Sequence, residues 1–325
     1  MGSSGKEGAV CTSESCDFCG SSSPVHSSAR RLRVGRRGRL RAPVLGGLLW
    51  ATVAVVAGPA AGRETGEGAI IMGDEKVIEC PATVESLRLT VVVDNVPARE
   101  DLGTAWGLAV LVQGPETTVL FDTGPDGPLL LSNLARLGID PATVGAVFLS
   151  HDHRDHTGGL PAFLEVNPDV TVYLLPSFSD EIKNAASSLG AEVVEADGPM
   201  SLCRGLCTLG RLGTEIPEQS LGLHTPDGLV VLTGCAHPGV EVIVANARSL
   251  TGAEVLLVAG GFHLRSASGT EIDAVAAALV NLGVRHLAPS HCTGDAARRV
   301  FADTFGDRYH PSGVGAVLTL DDLSK

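Results

Sequence analysis

A short apolar run, Val144-Gly-Ala-Val-Phe-Leu149, leads directly into Ser150-His-Asp-His-Arg-Asp-His-Thr-Gly-Gly159. A run of this length, bounded by polar residues and carrying β-branched and aromatic side chains, reads as a buried strand. In α/β sheets the carboxyl ends of strands face the crevice where ligands bind. The strand therefore delivers His151, His153, Asp155 and His156, all within six positions, to a turn at a sheet edge. Imidazole nitrogens and carboxylates at this spacing converge on borderline-soft divalent cations of the zinc type. The bland alternative is a solvated loop rich in His and Asp, and the buried strand before it speaks against that.

Short β-branched runs alternate with helical stretches on both sides of this segment. Leu87 to Asp94, Gly107 to Gln113 and Thr117 to Asp122 read as successive strands, the last two joined by a Gly-Pro-Glu turn. Pro128 to Leu137 reads as a helix, with proline near its start and Gly138 after its end. Ser220 to His224 and Leu229 to Thr233 flank Thr225-Pro-Asp-Gly228, a hairpin signal, and Val240 to Leu250 follows as a helix. Glu254 to Ala259 reads as a strand, Glu271 to Leu282 as an alanine-rich helix and Gly315 to Leu320 as a closing strand. Two sheets covered by outer helices is the simplest layered solution for such a series, an α/β fold with mixed strands.

The first 71 residues have a different character. Of 24 Lys/Arg and 37 Asp/Glu in the chain, nine and five lie in residues 1–71, which leaves 15 against 32 and a net charge of −17 for the remainder. Seven arginines crowd between Arg30 and Arg41, ahead of an apolar stretch from Val44 to Ala57 and the small-residue run Gly58-Pro-Ala-Ala-Gly62. Charged, apolar and small-residue regions in that order resemble an export signal within 30–62. The apolar stretch is short of the ~20 residues of a membrane span, so a membrane contact is expected only if this leader is retained as an anchor. The other reading is a disordered extension upstream of Met72, and both readings keep residues 1–71 outside the fold. An acidic body with 4% aromatic residues repels phosphate backbones and offers few stacking platforms, which excludes nucleic acid and leaves a small-molecule substrate. Cys11, Cys16 and Cys19 form only a partial metal knuckle, and Cys203 and Cys207 either pair or sit in a loop. Cys235 and Cys292 adjoin histidines as single thiols, which favours a reducing, cytoplasmic compartment over export.

The pattern His151-x-His153-x-Asp155-His156, preceded by Phe121-Asp-Thr-Gly124 and followed by isolated histidines, resembles the metallo-β-lactamase superfamily. Together with Val93-Asp-Asn95, Thr233-Gly-Cys-Ala-His237, Gly260-Gly-Phe-His263 and His291-Cys-Thr-Gly294, it is similar to the subgroup named for 7,8-dihydropterin-6-yl-methyl-4-(β-D-ribofuranosyl)aminobenzene 5'-phosphate synthase. The resemblance implies a four-layer αββα sandwich over about residues 87–321, acting as a catalytic domain with one or two divalent cations. Zinc is expected foremost, and the same donor set accepts manganese, iron or magnesium. His151 and His153 would serve one cation, Asp155 and His156 a second, with His291 completing the second. In a diiron redox branch of the superfamily a glutamate replaces the second histidine, so His153 points instead to hydrolytic or transfer chemistry.

Several assignments remain open at this level. Many superfamily members carry a bridging Asp where this chain has Cys235; either the thiol binds there, or His237 supplies the third nitrogen, with His237 the expected ligand. His263 is either a ligand or a substrate-facing acid/base group, the bland alternative being a core histidine bonded to backbone. Asp155 could double as a proton acceptor, and Asp122 is expected as an outer carboxylate that orients a ligand. The resulting expectation is a metal-dependent hydrolase of a small ester or phosphoester. A dihydropterin diphosphate-dependent transferase is the alternative, and a non-catalytic metal-binding regulator is a second one.

Overall fold

The computed structural model describes residues 83–114 and 116–324; the leader expected at 1–71 lies outside the described residues. In chain order the elements are β1 (Arg88–Val93), β2 (Ala109–Gln113), β3 (Thr118–Phe121), α1 (Gly127–Arg136), β4 (Val144–Phe148), α2 (Arg154–Thr157), α3 (Leu160–Val166), β5 (Thr171–Leu174), α4 (Asp180–Ser188) and β6 (Glu192–Glu195). The second half comprises β7 (Met200–Cys203), β8 (Leu206–Leu212), β9 (Glu218–Thr225), β10 (Gly228–Thr233), α5 (Val240–Thr251), β11 (Val255–Gly261), α6 (Gly269–Asn281), β12 (His286–Ser290), α7 (Asp295–Phe305), β13 (Val317–Thr319) and α8 (Leu320–Leu323). The first sheet runs β13-β1-β2-β3-β4-β5-β6 and the second β12-β11-β10-β9-β8-β7. Both are mixed: β3 to β6 are parallel, as are β10 to β12, and the remaining pairs are antiparallel.

Burial explains the layering. One apolar cluster, including Val91, Phe121, Phe148, Leu221, Val230 and Leu257, fills the space between the sheets. A second joins the outer face of the first sheet to α1, α3 and α4 through Leu130, Leu134, Phe163 and Ala186. A third seals α5, α6 and α7 onto the second sheet through Ile243, Leu279 and Phe301. Strands such as β10 and β11 are buried on both faces, which is why they read as near-continuous apolar runs. The result is the αββα sandwich.

Local chemistry fixes the helix ends. Asp126 accepts from the Leu129 N–H and Pro128 sits in the first turn of α1. Ser268 and Glu271 form a reciprocal capping box on α6. Two details differ from the sequence reading. The His/Asp run continues into the one-turn helix α2 rather than remaining a turn, and Cys203 and Cys207 lie in the adjacent strands β7 and β8, not in a loop, with no disulfide between them. No helix among the described residues is long and apolar enough to cross a membrane.

The carboxyl ends of β1, β3, β4, β10, β11 and β12 meet at one rim of the sandwich, because these strands run in the same sense within their sheets. Asn133 of α1 secures part of that rim. Its Nδ2 donates to the carbonyls of Val92 and Gly103 at 2.8 Å each, and its Oδ1 accepts from the Gly103 N–H at 2.9 Å. Replacing Asn133 by Ala strands three backbone groups and is expected to cost about 2–4 kcal/mol. A lowered guanidinium midpoint with an unchanged m-value would register it.

Candidate metal centre

The rim loops bring His151, His153, Asp155, His156, His237 and His291 into one cluster. Nε2 of His151 lies 3.1 Å from Nδ1 of His153, and Nε2 of His291 lies 3.2 Å from Oδ2 of Asp155. That carboxylate oxygen is also 3.7 Å from Nε2 of His156. The Cys235 Sγ sits between the two halves. With His151 and His237 it forms one group of donor atoms within 4.8 Å of one another, and with His156 and His291 a second. Its distance to His156 Nε2 is 3.3 Å. Both triads are competent to hold a divalent cation, with a thiol at the position they share.

The outer nitrogens of these rings are tied down. The His156 Nδ1 donates to Asp122 Oδ2 at 2.7 Å. The Ser150 hydroxyl donates to the same oxygen at 2.8 Å and accepts from His151 Nδ1 at 2.8 Å. His237 Nδ1 donates to Glu218 Oε2 at 2.9 Å. Each of these bonds fixes a tautomer with a bare Nε2 directed into the cluster. Nδ1 of His291 lies 3.2 Å from the Asn95 side-chain amide, whose nitrogen reaches Asp94 Oδ1 at 3.0 Å once oriented for hydrogen bonding.

Glu218, at the start of β9, has no counterpart in the sequence reading. It is fully buried; its Oε1 accepts from the N–H groups of Gly234, Cys235 and Ala236, and its Oε2 from the His237 N–H as well as the ring. Burial alone would push this carboxyl up, but the bonds from His237 and the backbone outweigh it and hold the pKa at about 2. A lone Glu between Pro217 and Gln219 gives no motif, and the strand it opens, Glu-Gln-Ser-Leu-Gly-Leu-His-Thr, is too polar in sequence to announce that nearly all of it is buried. Gly234 is small for a comparable reason, since a Cβ there would lie 2.1 Å from the Ser150 hydroxyl.

Electrostatics follow the same geometry. Burial lowers the pKa of His151 well below its ordinary value, and that of His153 less strongly, so both rings favour the neutral form that binds cations. For His156 burial opposes protonation, yet the adjacent Asp122 carboxylate overrides it and raises the pKa. Burial acts to raise Asp155, but His291 and His156 hold its carboxyl well below the usual range. Among the described residues, four that are not glycine adopt left-handed backbone, Asp122, Ala236, His263 and His291, with φ between 47° and 57°. All four lie in rim loops. Strain of about 1–3 kcal/mol at each such position persists only where the surroundings enforce it.

The structure places His263 at the cluster edge, exposed, its ring centroid 4.5 Å from that of His237. It is not a core histidine. With Cys235 and Cys292 it forms a third donor group within 4.8 Å; hydrogen bonding to Cys292 raises its pKa despite burial acting the other way. His286 and His310 pair with each other at 3.0 Å, outside the cluster. Two clefts flank the centre, one lined by Gly213 to Ile216 with His237 and His263, the other by Trp106, Arg265, His291 and Arg298.

Comparison with known proteins agrees with this architecture. The sequence pattern of the metallo-beta-lactamase superfamily matches residues 107–191. A solved metal-dependent hydrolase of the beta-lactamase superfamily, Tm1679, superposes with a TM-score of 0.60 at 27% identity, covering 71% of this chain and 98% of its own. The chain has the metallo-β-lactamase fold. The fold is shared with YhfI of Bacillus subtilis, at 17% identity and a TM-score of 0.56 over 72% of this chain and all of that one. Among curated proteins, the 7,8-dihydropterin-6-methyl-4-(beta-D-ribofuranosyl)-aminobenzene-5'-phosphate synthase of Methanocaldococcus jannaschii is 28% identical over 269 residues, 69% of this chain and 92% of the relative. The resemblance read from the motifs therefore holds for both superfamily and subgroup, and the protein is an enzyme of the metallo-β-lactamase fold.

Glu218→Gln puts an amide where five N–H donors converge and removes a buried charge. A stability loss of about 3–5 kcal/mol is expected, and chemical denaturation of the purified variant would measure it.

Proposed function

We propose that the protein is a metal-dependent hydrolase of a small-molecule ester or phosphoester. In this reading His151, His153 and His237 hold one divalent cation, and Asp155, His156 and His291 hold a second, with Cys235 shared between them. The observation that supports it is the outward tethering of Nδ1 on His151, His156 and His237, which turns their Nε2 atoms toward one another and toward Cys235, close enough to share a cation. The His291 Nε2 fits as well, being a buried atom without a hydrogen-bond partner in the protein. When bound, such cations lower the pKa of water towards ~7 and polarise a carbonyl or phosphoryl oxygen.

The chain's own side chains would then divide the work. Asp122, directly and through Ser150, fixes two rings, and Glu218 fixes a third. Asp155 orients its inner oxygen toward His291 and His156 and is the nearest carboxylate to receive a proton. His263, exposed and of raised pKa, stands where it can protonate a leaving group. The catalytic body is taken to span 87–321, with residues 1–71 as a separate leader. The buried single thiols Cys235 and Cys292, which form no disulfide, support a cytoplasmic setting.

A second reading, a dihydropterin diphosphate-dependent transferase, is favoured by the 92% coverage of the M. jannaschii synthase. In that case the same centre would stabilise a departing diphosphate while an aromatic amine, rather than water, attacks. Turnover of a phosphodiester, a thioester and a pterin diphosphate, the last with and without an aminobenzene nucleophile, separates the two readings by product. Loss of every activity on chelation is expected for both. Metal analysis supplies an independent check: His151→Ala should remove at least one cation per chain relative to the parent protein, whereas equal stoichiometry in the two would sink the assignment.

A further inference from the structure

The proposed centre uses the Cys235 thiol and leaves Cys292 without a task, yet the two meet at the rim of the second sheet. Cys235 follows β10, Cys292 follows β12, and β11 lies between those strands. The thiols therefore reach each other only across the end of β11, which is Gly261. A Cβ on Gly261 would lie 2.7 Å from the Cys292 Sγ and 3.3 Å from the Cys235 Cα. Contacts that short leave no room for a side chain, so its absence is what lets the two cysteines come together. Their sulfurs fall within 4.8 Å of each other, and the Cys292 Sγ lies 3.6 Å from the Cys235 carbonyl oxygen.

Both backbones are held where they stand. Glu218 Oε1 accepts from the Cys235 N–H at 3.0 Å, and the Cys292 carbonyl accepts from the Arg265 N–H at 3.2 Å. The Cys292 sulfur itself accepts from the His263 N–H at 3.3 Å. Closing the remaining gap to the ~2.0 Å of a disulfide asks for rotation of two side chains and a small shift of their loops. Cys235 and Cys292 are only 4% and 3% exposed, so a bulky oxidant is shut out. His263 opens a way in for a small one: it is exposed, it lines a cleft with His237, and its donor nitrogen lies within 4.8 Å of both sulfurs.

We propose that Cys235 and Cys292 form an oxidative modification site, at which hydrogen peroxide joins them in a disulfide and takes from the cation centre the donor its two halves share. The first thiol attacks peroxide; its sulfur gains one oxygen as the O–O bond breaks, giving a sulfenic acid and one water. The second sulfur displaces that hydroxyl, which leaves as another water with the second thiol's proton. Two thiols thus give up two electrons and two protons, and one peroxide accepts them. A sulfur tied up in a disulfide is no longer a thiolate donor, so the group with His151 and His237 and the group with His156 and His291 lose their common member together. A thiol reductant restores it. The effect on the cations rests on the reading of Cys235 as a shared donor, whereas the cross-link does not.

The metal-loaded full chain, treated with hydrogen peroxide and then digested without reductant, tests both parts. Peptide mass spectrometry is expected to find the Cys235 and Cys292 peptides joined, two hydrogens lighter than their sum and separated by dithiothreitol. Bound metal measured on the same sample should fall by at least one cation per chain and return on reduction and reloading. Cys292→Ser should carry the parent's metal content and keep it at peroxide doses that empty the parent, with circular dichroism verifying its fold and Cys292→Ala as the second variant if a buried hydroxyl disturbs it. Sulfinic or sulfonic acid on either cysteine without a cross-link would overturn the proposal, as would equal metal loss from parent and Cys292→Ser. A cross-link that leaves the metal in place would overturn the switch and Cys235 as shared donor, while the other ligands are judged separately by His151→Ala. A chain that forms the cross-link but never takes up metal would sink the reading of the centre and leave the thiol pair standing.

Discussion

The rim of this sandwich depends on one buried carboxylate. Asp122 directly follows β3, and its two oxygens receive the Ser150 N–H, the Ser150 hydroxyl and the His156 ring. Through the hydroxyl it also reaches His151. A single side chain thus couples the ends of adjacent parallel strands and sets two ring tautomers, with Asp122, Ser150, His151 and His156 all fully buried. In such surroundings each of these bonds is stronger than in water, and an unmade one costs more. Asp122 occupies left-handed backbone to do this, and the bonds it makes are what hold it there.

Glu218 plays the matching part on the second sheet. It gathers the N–H groups of the loop after β10 and the His237 ring onto one carboxylate. Each sheet therefore contributes its own rigid half of the cluster, one anchored by Asp122 and the other by Glu218. Cys235 lies where the halves meet. A thiol is a softer donor than a carboxylate, so a cation held there through Cys235 would be expected to be a softer one.

Much of this was legible in the chain. The αββα layering follows from buried strands alternating with capped helices, and His151, His153, Asp155 and His156 declare themselves by density. His237, His263 and His291 each follow an apolar strand, a placement that period and burial predict. Strands β5 to β8 and helices α3, α4 and α7 went unread; for the four-residue strands such as Glu192–Glu195 the reason is that they carry too few apolar positions to show a period. Glu218 was silent because its partner is far away in sequence: it reaches His237 across 19 positions.

The sequence by itself determined which side chains were available and that they stand at strand ends, since strand periodicity and chain order are local properties. Only the tertiary structure decided which nitrogen of each ring faces inward and that Cys235 lies between two triads. Those outcomes depend on hydrogen bonds and distances between loops from different sheets, and a distance across a folded core has no imprint on neighbouring residues.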